Sequence, residues 1–433
     1  MLVSNGIRHL HISMKKLFFL LLTIAVACAN AAVISADLQE AMNNSRSGEY
    51  KIIVEMAEQA NVEAIKADCM VRSNDSSSRD QIFSVMKQEA YNSQLAIEYL
   101  LAGQRAEVQR FWLVNAVALT ANEELINALA QEESVKAIYL DKEEVLIDPI
   151  MANQERGAWG VDYIKANIAQ GNGITGKGIK VAVVDTGVDL DHPGFAKGQI
   201  LVNLAKSFVD GEADADDGNG HGTHCAGTIG SKEYGVAPDC KIIPVKVLSK
   251  SGSGSWSGVM NGVQYAAQCG ADVMSMSLGG RASANGNVVE TAVKNAIAAG
   301  VVCVIAAGNS GPSAKTIGTP GVVEEAITVG AIDNTGTIAR FSSRGVTVYN
   351  TEKPDIVAPG VNVPSLWKNG GTNTISGTSM ATPHVAGLVA LILQAKPGIT
   401  PAKVKALIMS KAFGKAEANV YGKGCVDAEA TTK

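Results

Sequence analysis

Short apolar runs, separated by glycine-rich and polar stretches, recur along the chain after about residue 150. Five of them predict buried strands, at Ile179–Val184, Lys241–Val247, Asp272–Ser277, Val301–Ala306 and Ile327–Ala331. Apolar positions at helical spacing between these runs predict helices at Ser257–Gln268 and Val288–Ala299. Strands that are apolar on both faces and alternate with helices form mostly parallel sheets covered on both sides. We therefore predict an α/β fold with a doubly wound, mostly parallel sheet over residues 151–433.

Residues 33–150 follow a different pattern, rich in Ala, Glu and Gln and poor in Gly. Apolar runs predict three strands, at Tyr50–Glu55, Arg110–Val117 and Val135–Leu140. Helical spacing predicts two helices, at Ile82–Ala102 and Asn122–Gln131. Strands mixed with two helices in so short a segment indicate a small α+β domain that precedes the α/β domain.

The first residues of the chain have the pattern of an export signal. Lys15 and Lys16 precede the apolar run Leu17–Ala27, and small residues follow that run. This order predicts a secretory signal peptide over residues 1–32 and an extracellular protein. The run is short for a permanent membrane anchor. A lipoprotein signal ending at Cys28 is the weaker alternative.

Charge and cysteine content narrow the choice of partners. The formal net charge is −5 and the basic residues are scattered, so the sequence predicts neither a nucleic-acid partner nor a membrane surface. We expect a monomer.

Five of the seven cysteines lie after residue 150, and export permits disulfides. Because five is odd, at least one of them is unpaired or bridges two chains, and the pairing stays open.

Four polar residues lie where predicted strands end or predicted helices begin. Asp185 ends the first strand, within VVDTGVDLDHPGF, and His221 lies in the glycine-rich GNGHGTHCAGTIG. Asn309 follows a strand in AAGNSG, and Ser379 precedes a long apolar helix in ISGTSMATPHVAGLVALIL. The carboxyl ends of parallel strands share one edge of a sheet, which is where such folds bind ligands. We expect these four residues to meet there.

These residue types suit acyl transfer. A serine hydroxyl becomes a nucleophile when an imidazole removes its proton, and a carboxylate on the far nitrogen orients that imidazole. The oxyanion formed by attack needs hydrogen-bond donors, such as a backbone N–H and a carboxamide. The hypothesis is that Ser379 attacks, His221 is the base, Asp185 orients it and Asn309 stabilises the oxyanion.

The four segments closely resemble the signature motifs of the subtilisin-like serine proteases, in the same order along the chain. The resemblance extends over about residues 155–430, and HGTHCAGTIGSKEYGVAP at 221–238 is most similar to the proteinase K branch. It implies a secreted serine endopeptidase that works through an acyl-enzyme on Ser379 without a cofactor. It also assigns the base to His221, leaving His224 and His384 as structural residues.

The same resemblance implies a substrate cleft for proteins and peptides. SGSGSW and SLGG are similar to segments that clamp an extended peptide as an added strand. AAG and GTPG are similar to the pocket for the residue before the scissile bond. Small residues there predict broad specificity with a preference for bulky apolar residues. The implied cleft residues are Ser253, Gly254, Ser277, Leu278, Gly279, Ala306, Gly308 and Gly318.

Two further features are implied by the resemblance. YKIIVE and VKAIYLDKEEV are similar to parts of an inhibitory prosegment, so residues 33–150 are expected to inhibit the enzyme until a cut between about Ile147 and Arg156. Asp355 lies where the family often has a calcium carboxylate, completed by the carbonyls of Glu324 and Ala326. A structural Ca²⁺ is therefore possible, although the loop of the tight calcium site is missing.

Three other functions compete with this hypothesis. A peptide ligase or cyclase on the same fold would use the same triad, so only its products would distinguish it. An inactive binding protein is disfavoured because all four residues are intact. A lipase or esterase is expected to carry G-x-S-x-G, whereas this chain has Gly377-Thr378-Ser379-Met380-Ala381.

Overall fold

The computed structural model describes residues 32–44, 48–73, 79–101, 107–145, 149–151 and 157–433. The predicted signal peptide lies outside these residues except for Ala32. Two compact units are present. The smaller holds the described parts of Met1–Gln59, Ala90–Arg110 and Asn115–Asp141, and the larger those of Ala60–Glu89, Phe111–Val114 and Lys142–Lys433.

The region 33–140 contains the predicted mixture of strands and helices. The elements are β1 (Val33–Ile34), α1 (Ala36–Asn44), β2 (Tyr50–Met56), α2 (Val62–Ser73), α3 (Arg79–Leu100), β3 (Gln109–Phe111), β4 (Ala116–Ala121), α4 (Glu123–Ala130) and β5 (Val135–Leu140). The sheet has the order β1-β5-β2-β4-β3, in which β2 is antiparallel to both neighbours. Apolar side chains of the central strands, among them Ile52, Val117 and Ile138, form the core of the smaller unit.

The single strand predicted at Arg110–Val117 is wrong. A turn separates β3 from β4, and within it Asn115 has φ 37°, in the left-handed region that a strand does not use. Asn tolerates this region because its short side chain hydrogen-bonds nearby backbone. Here its Nδ2 donates to the carbonyl of Glu58 at 2.6 Å. Because the residues in and around this turn are mostly apolar, the sequence pattern gave no sign of it.

The larger unit is built on a seven-stranded sheet whose paired strands are all parallel. Its strands are β8 (Lys180–Asp185), β9 (Lys206–Ser207), β10 (Lys241–Lys246), β12 (Val273–Met276), β13 (Val302–Ala306), β14 (Ile327–Ile332) and β15 (Ile356–Pro359). Their order across the sheet is β15-β14-β13-β12-β8-β10-β9. The five predicted strands are present, and their side chains are almost entirely buried, as the apolar runs require. The predicted α/β class is confirmed.

Two small sheets complete the larger unit, one of two strands and one of three. β6 (Glu143–Val145) pairs antiparallel with β11 (Ser253–Ser255). β7 (Ile150–Met151) pairs antiparallel with β17 (Gly371–Ser376), which also pairs with β16 (Val363–Trp367).

The helices of the larger unit include the two predicted between strands. Besides α2 and the first part of α3, they are α5 (Trp159–Tyr163), α6 (Ala166–Gly171), α7 (His221–Gly230), α8 (Trp256–Gln268), α9 (Val288–Ala298), α10 (Thr378–Ala395), α11 (Pro401–Lys411) and α12 (Ala428–Thr432). Among the described residues, α10 alone is long and apolar enough to cross a membrane, but 83% of it is buried within the protein. It is the core helix of this domain.

Candidate active site

The four candidate residues lie at the carboxyl edge of the parallel sheet. Asp185 is the last residue of β8, and Asn309 follows β13 by three positions. His221 is the first residue of α7, and Ser379 is the second residue of α10. The chain proceeds from β8 to one side of the sheet and then crosses to β12 on the other side. This reversal opens a crevice at the strand ends, as expected for doubly wound sheets.

Asp185 and His221 form a buried hydrogen-bonded pair. Nδ1 of His221 lies 2.8 Å from Oδ1 of Asp185, which also accepts the N–H of Thr186 at 2.7 Å. Because Nδ1 donates to the carboxylate, the lone pair of the neutral ring is on Nε2. Nε2 is buried and has no hydrogen-bond partner among the described residues. This orientation leaves Nε2 able to accept a proton.

Charge sets the basicity of this imidazole. Burial by itself lowers the pKa of His221, but the negative charge of Asp185 and its hydrogen bond outweigh burial and raise the pKa well above its usual value. Burial raises the pKa of the neighbouring Cys225 thiol, which keeps it neutral. Its Sγ is 3.9 Å from Nδ1 of His221, so an uncharged group lies beside the pair.

Ser379 is held by contacts that depend on a proline. Pro383 lies inside α10 and has no N–H to donate to the carbonyl four residues earlier, which is that of Ser379. That carbonyl accepts the hydroxyl of Ser277 at 2.9 Å and the thiol of Cys225 at 3.5 Å instead. The Ser379 hydroxyl itself donates to the carbonyl of Ser277 at 3.2 Å. Ser379 is thus held next to Cys225, the residue whose Sγ lies near His221.

The orientation of the Asn309 carboxamide is fixed by Thr378. Oδ1 of Asn309 accepts both the N–H and the hydroxyl of Thr378, each at 3.0 Å. The Thr378 hydroxyl in turn accepts the N–H of Gly308 at 3.1 Å. With the oxygen engaged, the amino group points the other way, and Nδ2 lies 3.3 Å from where a Cβ on Gly377 would be. A donor therefore faces the start of the serine helix.

Comparisons with known proteins show the family of the chain. The model of the subtilase family, Peptidase_S8, matches residues 176–424. The chain belongs to the subtilase family. Serine protease AprX of Bacillus subtilis (strain 168) is 39% identical over 380 residues, covering 78% of this chain and 83% of its own. Subtilisin DY of Bacillus licheniformis is 39% identical, covering 64% and 98%. The crystal structure of a cold adapted subtilisin-like serine proteinase is 40% identical with a TM-score of 0.54, covering 63% and 97%.

This subtilase is a serine endopeptidase, and the two histidines that compete with His221 for the role of base, His224 and His384, lie in structural contacts. Nε2 of His224 is 3.0 Å from the carbonyl of Val363, and Nδ1 of His384 is 2.9 Å from the carbonyl of Met380. Burial lowers the pKa of His224 to about 3 and that of His384 to about 4. Both rings are neutral and engaged with backbone, as their predicted structural role requires.

A buried aspartate that the sequence analysis missed organises the His221 loop of the subtilase. Asp217 accepts hydrogen bonds from the hydroxyl of Thr186 and from the N–H and hydroxyl of Thr223. It also accepts the backbone N–H groups of Asn219 and Gly220. The sequence feature that could have indicated it is the acidic pair Asp216-Asp217, just before GNGHGTH. These five donors connect the residue after β8 with the turn that leads into α7 and with the first turn of that helix.

The predicted cleft residues of the subtilase divide into three groups. Ser253 and Gly254 lie on β11, whose edge pairs with β6. Ser277 contacts Ser379, whereas Leu278 is buried and does not line the nearby cavity. That cavity has a volume of about 800 Å³ within the larger unit. Its lining includes the predicted Gly279, Ala306, Gly308 and Gly318, together with Asn309, Arg281 and Lys315.

The predicted calcium ligands converge, but their contacts do not fit a calcium ion. Asp355 is buried, and its two carboxylate oxygens accept the ammonium groups of Lys353 and Lys405. The same two lysines donate to the carbonyls of Glu324 and Ala326. Every oxygen group predicted to bind Ca²⁺ is thus already bound by a cation.

The sequence left the cysteine pairing open, and the structure answers it for the five cysteines after residue 150. Cys225, Cys240, Cys269, Cys303 and Cys425 are all free thiols. Burial raises the pKa of Cys240 and of Cys303 to about 12, so these thiols are neutral and act as small apolar side chains.

Proposed function

We propose that this subtilase is a secreted serine endopeptidase in which Asp185, His221 and Ser379 form the catalytic triad. The observation that carries the proposal is the buried Asp185–His221 pair, whose Nε2 has no partner among the described residues and whose neighbour Cys225 contacts the Ser379 carbonyl. An imidazole held by a carboxylate at one nitrogen acts as a base at the other. Catalysis then needs no cofactor.

The reaction follows from these positions. When substrate enters, rotation about Cα–Cβ moves the Ser379 hydroxyl from the Ser277 carbonyl to Nε2 of His221. His221 takes the hydroxyl proton as Oγ attacks the peptide carbonyl, and later gives it to the leaving amine. The N–H of Ser379 and Nδ2 of Asn309 bind the oxyanion. Water, deprotonated by His221, then hydrolyses the acyl-enzyme.

Hydrolysis of denatured casein tests this function against its rivals. Purified active protein is expected to release peptides, and a fluorophosphonate is expected to stop release while adding one adduct on Ser379, located by mass spectrometry. A peptide ligase would give joined or cyclic products with an added amine, and a binding protein would give none. Cleavage that continues with Ser379 fully modified would contradict the proposal.

Replacing Asn309 with leucine tests the oxyanion role. The change keeps the approximate volume but removes the donor, so kcat is expected to fall while KM changes little. The expected loss is about 10²–10³-fold, the magnitude known for removal of the corresponding carboxamide from subtilisin. Steady-state kinetics on a peptide amide measure it. A variant that loses affinity but keeps turnover would show a binding role instead.

The cleft supports an extended peptide as substrate. The edge of β11 already pairs antiparallel with β6, in the register Ser253↔Val145 and Gly254↔Glu144. A substrate would add a strand at the same edge, with backbone hydrogen bonds supplying affinity whatever its sequence. Broad specificity follows from recognition by backbone.

The cavity sets the preference for the residue before the cut. Ala306, Gly308 and Gly318 give it small walls, which leave room for bulky apolar groups. Arg281 and Lys315 lie on its lining and are exposed, so they disfavour a positive charge there.

A peptide library is therefore expected to be cut after large apolar and aromatic residues rather than after Arg or Lys. In the variant Arg281→Glu/Lys315→Glu, cleavage after Arg and Lys should rise by about 5- to 10-fold relative to Leu, because an exposed charge contributes up to about 1 kcal/mol. Lys197→Glu, an exposed charge reversal outside the cavity lining, is the control. Strict cleavage after basic residues by the wild type would overturn this assignment.

We further propose that residues 33–150 act as an inhibitory prosegment. Within the larger unit, β6 pairs with the cleft strand β11 and β7 pairs with β17, so the chain is paired on both sides of residues 146–148. The predicted cut, between Ile147 and Arg156, lies largely outside the described residues. A cut in this interval would separate the prosegment from the enzyme.

Contacts away from the cleft support this inhibitory role. The guanidinium of Arg79 donates to the carbonyls of Ala271, at 2.7 Å, and Gly300, at 3.3 Å. Nδ2 of Asn295 donates to the carbonyl of Leu113 at 2.6 Å. The carbonyls of Ala271 and Gly300 follow the ends of α8 and α9, where partial negative charge favours a cation. They would hold the prosegment after the cut.

The proposal also covers export of the protein and its place within the subtilase family. The basic and apolar pattern of residues 1–32 supports export by a signal peptide. The Cys225 that follows the second histidine of HGTHC supports a place near the proteinase K branch. Protein and peptide substrates outside the cell are then its partners.

A further inference from the structure

The cluster around Asp355 joins three segments of the catalytic domain. Asp355 precedes β15, and its Oδ2 accepts the N–H of Thr328 in β14 at 2.7 Å. The carbonyls of Glu324 and Ala326 come from the loop that leads into β14. Lys405 comes from α11. Any group bound at the centre therefore ties this loop and α11 to the edge of the sheet.

Two lysines bind the same three oxygen-bearing groups. Nζ of Lys353 lies 2.7 Å from Oδ2 of Asp355, 2.8 Å from the carbonyl of Ala326 and 3.4 Å from that of Glu324. Nζ of Lys405 lies 2.7 Å from Oδ1 of Asp355 and 2.9 Å from the carbonyl of Ala326, and also donates to that of Glu324. The lysines share one set of acceptors.

Burial indicates that this is a built site. The side chain of Lys353 is only 1% exposed and that of Asp355 6%, while Lys405 closes the cluster at 17%. Lysine is almost never buried to this extent unless it is paired. Each ammonium group has three donors and here has three acceptors. Removing one partner of a buried ion pair leaves an uncompensated charge, which is strongly destabilising.

Charge and geometry together match what a divalent cation would supply. Calcium binds carboxylate and carbonyl oxygens and brings a charge of +2. Two ammonium groups bring the same +2 to the same kind of oxygens. A calcium ion would need the carboxylate and carbonyl oxygens that the lysines occupy, and it would lie against two like charges. The two arrangements exclude each other.

We propose that Lys353 and Lys405 take the place of a metal ion at Asp355, so that this part of the domain is held by the protein's own cations. The cluster then needs no calcium. Since Thr328 also donates its hydroxyl to the carbonyl of Gly321 at 2.6 Å, the cluster supports the loop that carries Gly318 of the substrate pocket. The stability of this loop is therefore expected not to depend on a metal ion at Asp355.

The test measures melting of the active enzyme after blocking with a fluorophosphonate, which prevents self-digestion. Measurements are made at pH 7, because burial lowers the pKa of Lys353 to about 8. Wild type, Asp355→Asn, Lys405→Met and Lys353→Met/Lys405→Met are compared in EDTA and in excess CaCl₂. Lys403→Met, an exposed lysine on the same helix, is the control.

Asp355→Asn is expected to lower Tm by about 5–10 °C in EDTA, because two buried cations lose their partner. The rise in Tm caused by CaCl₂, from whatever other sites exist, should be the same in this variant as in wild type. In Lys353→Met/Lys405→Met, Tm should fall in EDTA and the calcium response should exceed that of wild type. Adding Asp355→Asn to that double variant should remove the excess. The control should match wild type throughout.

Two results would overturn the proposal. If Asp355→Asn abolishes the calcium response of the wild type, Asp355 binds calcium in spite of the lysines. If Lys405→Met leaves Tm unchanged in EDTA, that ammonium group does not hold the cluster. Lys405 lies at the rim, so its single substitution keeps the test decisive even where the double variant does not fold.

Discussion

Replacing Ser379 with alanine is expected to leave the chain as a folded precursor that retains the segment from about residue 33 to about residue 150. β6 pairs with the cleft strand β11, and β7 pairs with β17, the strand that precedes Ser379, so the segment to be cut belongs to the same chain as the nucleophile and reacts at high effective concentration. Without the hydroxyl this cut cannot occur. Activity should fall by about 10⁶-fold in kcat, the loss known for the nucleophile of subtilisin.

Expression in a host free of other proteases, followed by mass spectrometry of the purified chain, measures the outcome. Ser410→Ala, an exposed serine on α11, is the matched control and should mature normally. The prosegment made separately should inhibit the mature enzyme, and its Arg79→Ala form should inhibit less well. Normal maturation of the Ser379→Ala chain would mean that another enzyme removes the segment.

Replacing Asp185 with asparagine is expected to lower the rate of self-cleavage by about 10⁴-fold, with a changed pH dependence. An amide cannot fix the imidazole with Nδ1 as donor, so the wrong nitrogen faces Ser379. Because the wild-type base must be unprotonated, its rate should fall as pH drops through the raised pKa of His221, above 6.5. In the variant, burial is no longer opposed by the Asp185 charge, so this fall moves to lower pH.

Processing of the purified precursor at a series of pH values provides this measurement without contaminating mature enzyme. Asp191→Asn, an exposed carboxylate in the same motif, is the control and should keep both rate and profile. A variant Asp185→Asn that cuts at the wild-type rate would exclude Asp185 from the triad. If the rate falls over the same pH range in Asp185→Asn as in the wild type, a group other than His221 limits the rate at low pH.

The sequence predicted much of the larger unit because its signals are local. Buried parallel strands are continuous apolar runs, so β8, β10, β12, β13 and β14 were visible within a few residues of their ends. The run at Arg110–Val117 was the failure. It is largely apolar, yet a four-residue turn that ends in the left-handed Asn115 separates β3 from β4.

By itself, the sequence determined the residue types of the active site and their order, because Asp185, His221, Asn309 and Ser379 each lie in a contiguous motif tied to a strand end or helix start. Tertiary structure alone decided how these groups are held. Pro383 frees the Ser379 carbonyl, yet only folding brings Ser277, just after β12, to donate to it. Likewise Asp355 looked like a calcium ligand, because its motif is local while Lys405 reaches it from a separate helix. Contacts between distant segments depend on packing, which no local pattern encodes.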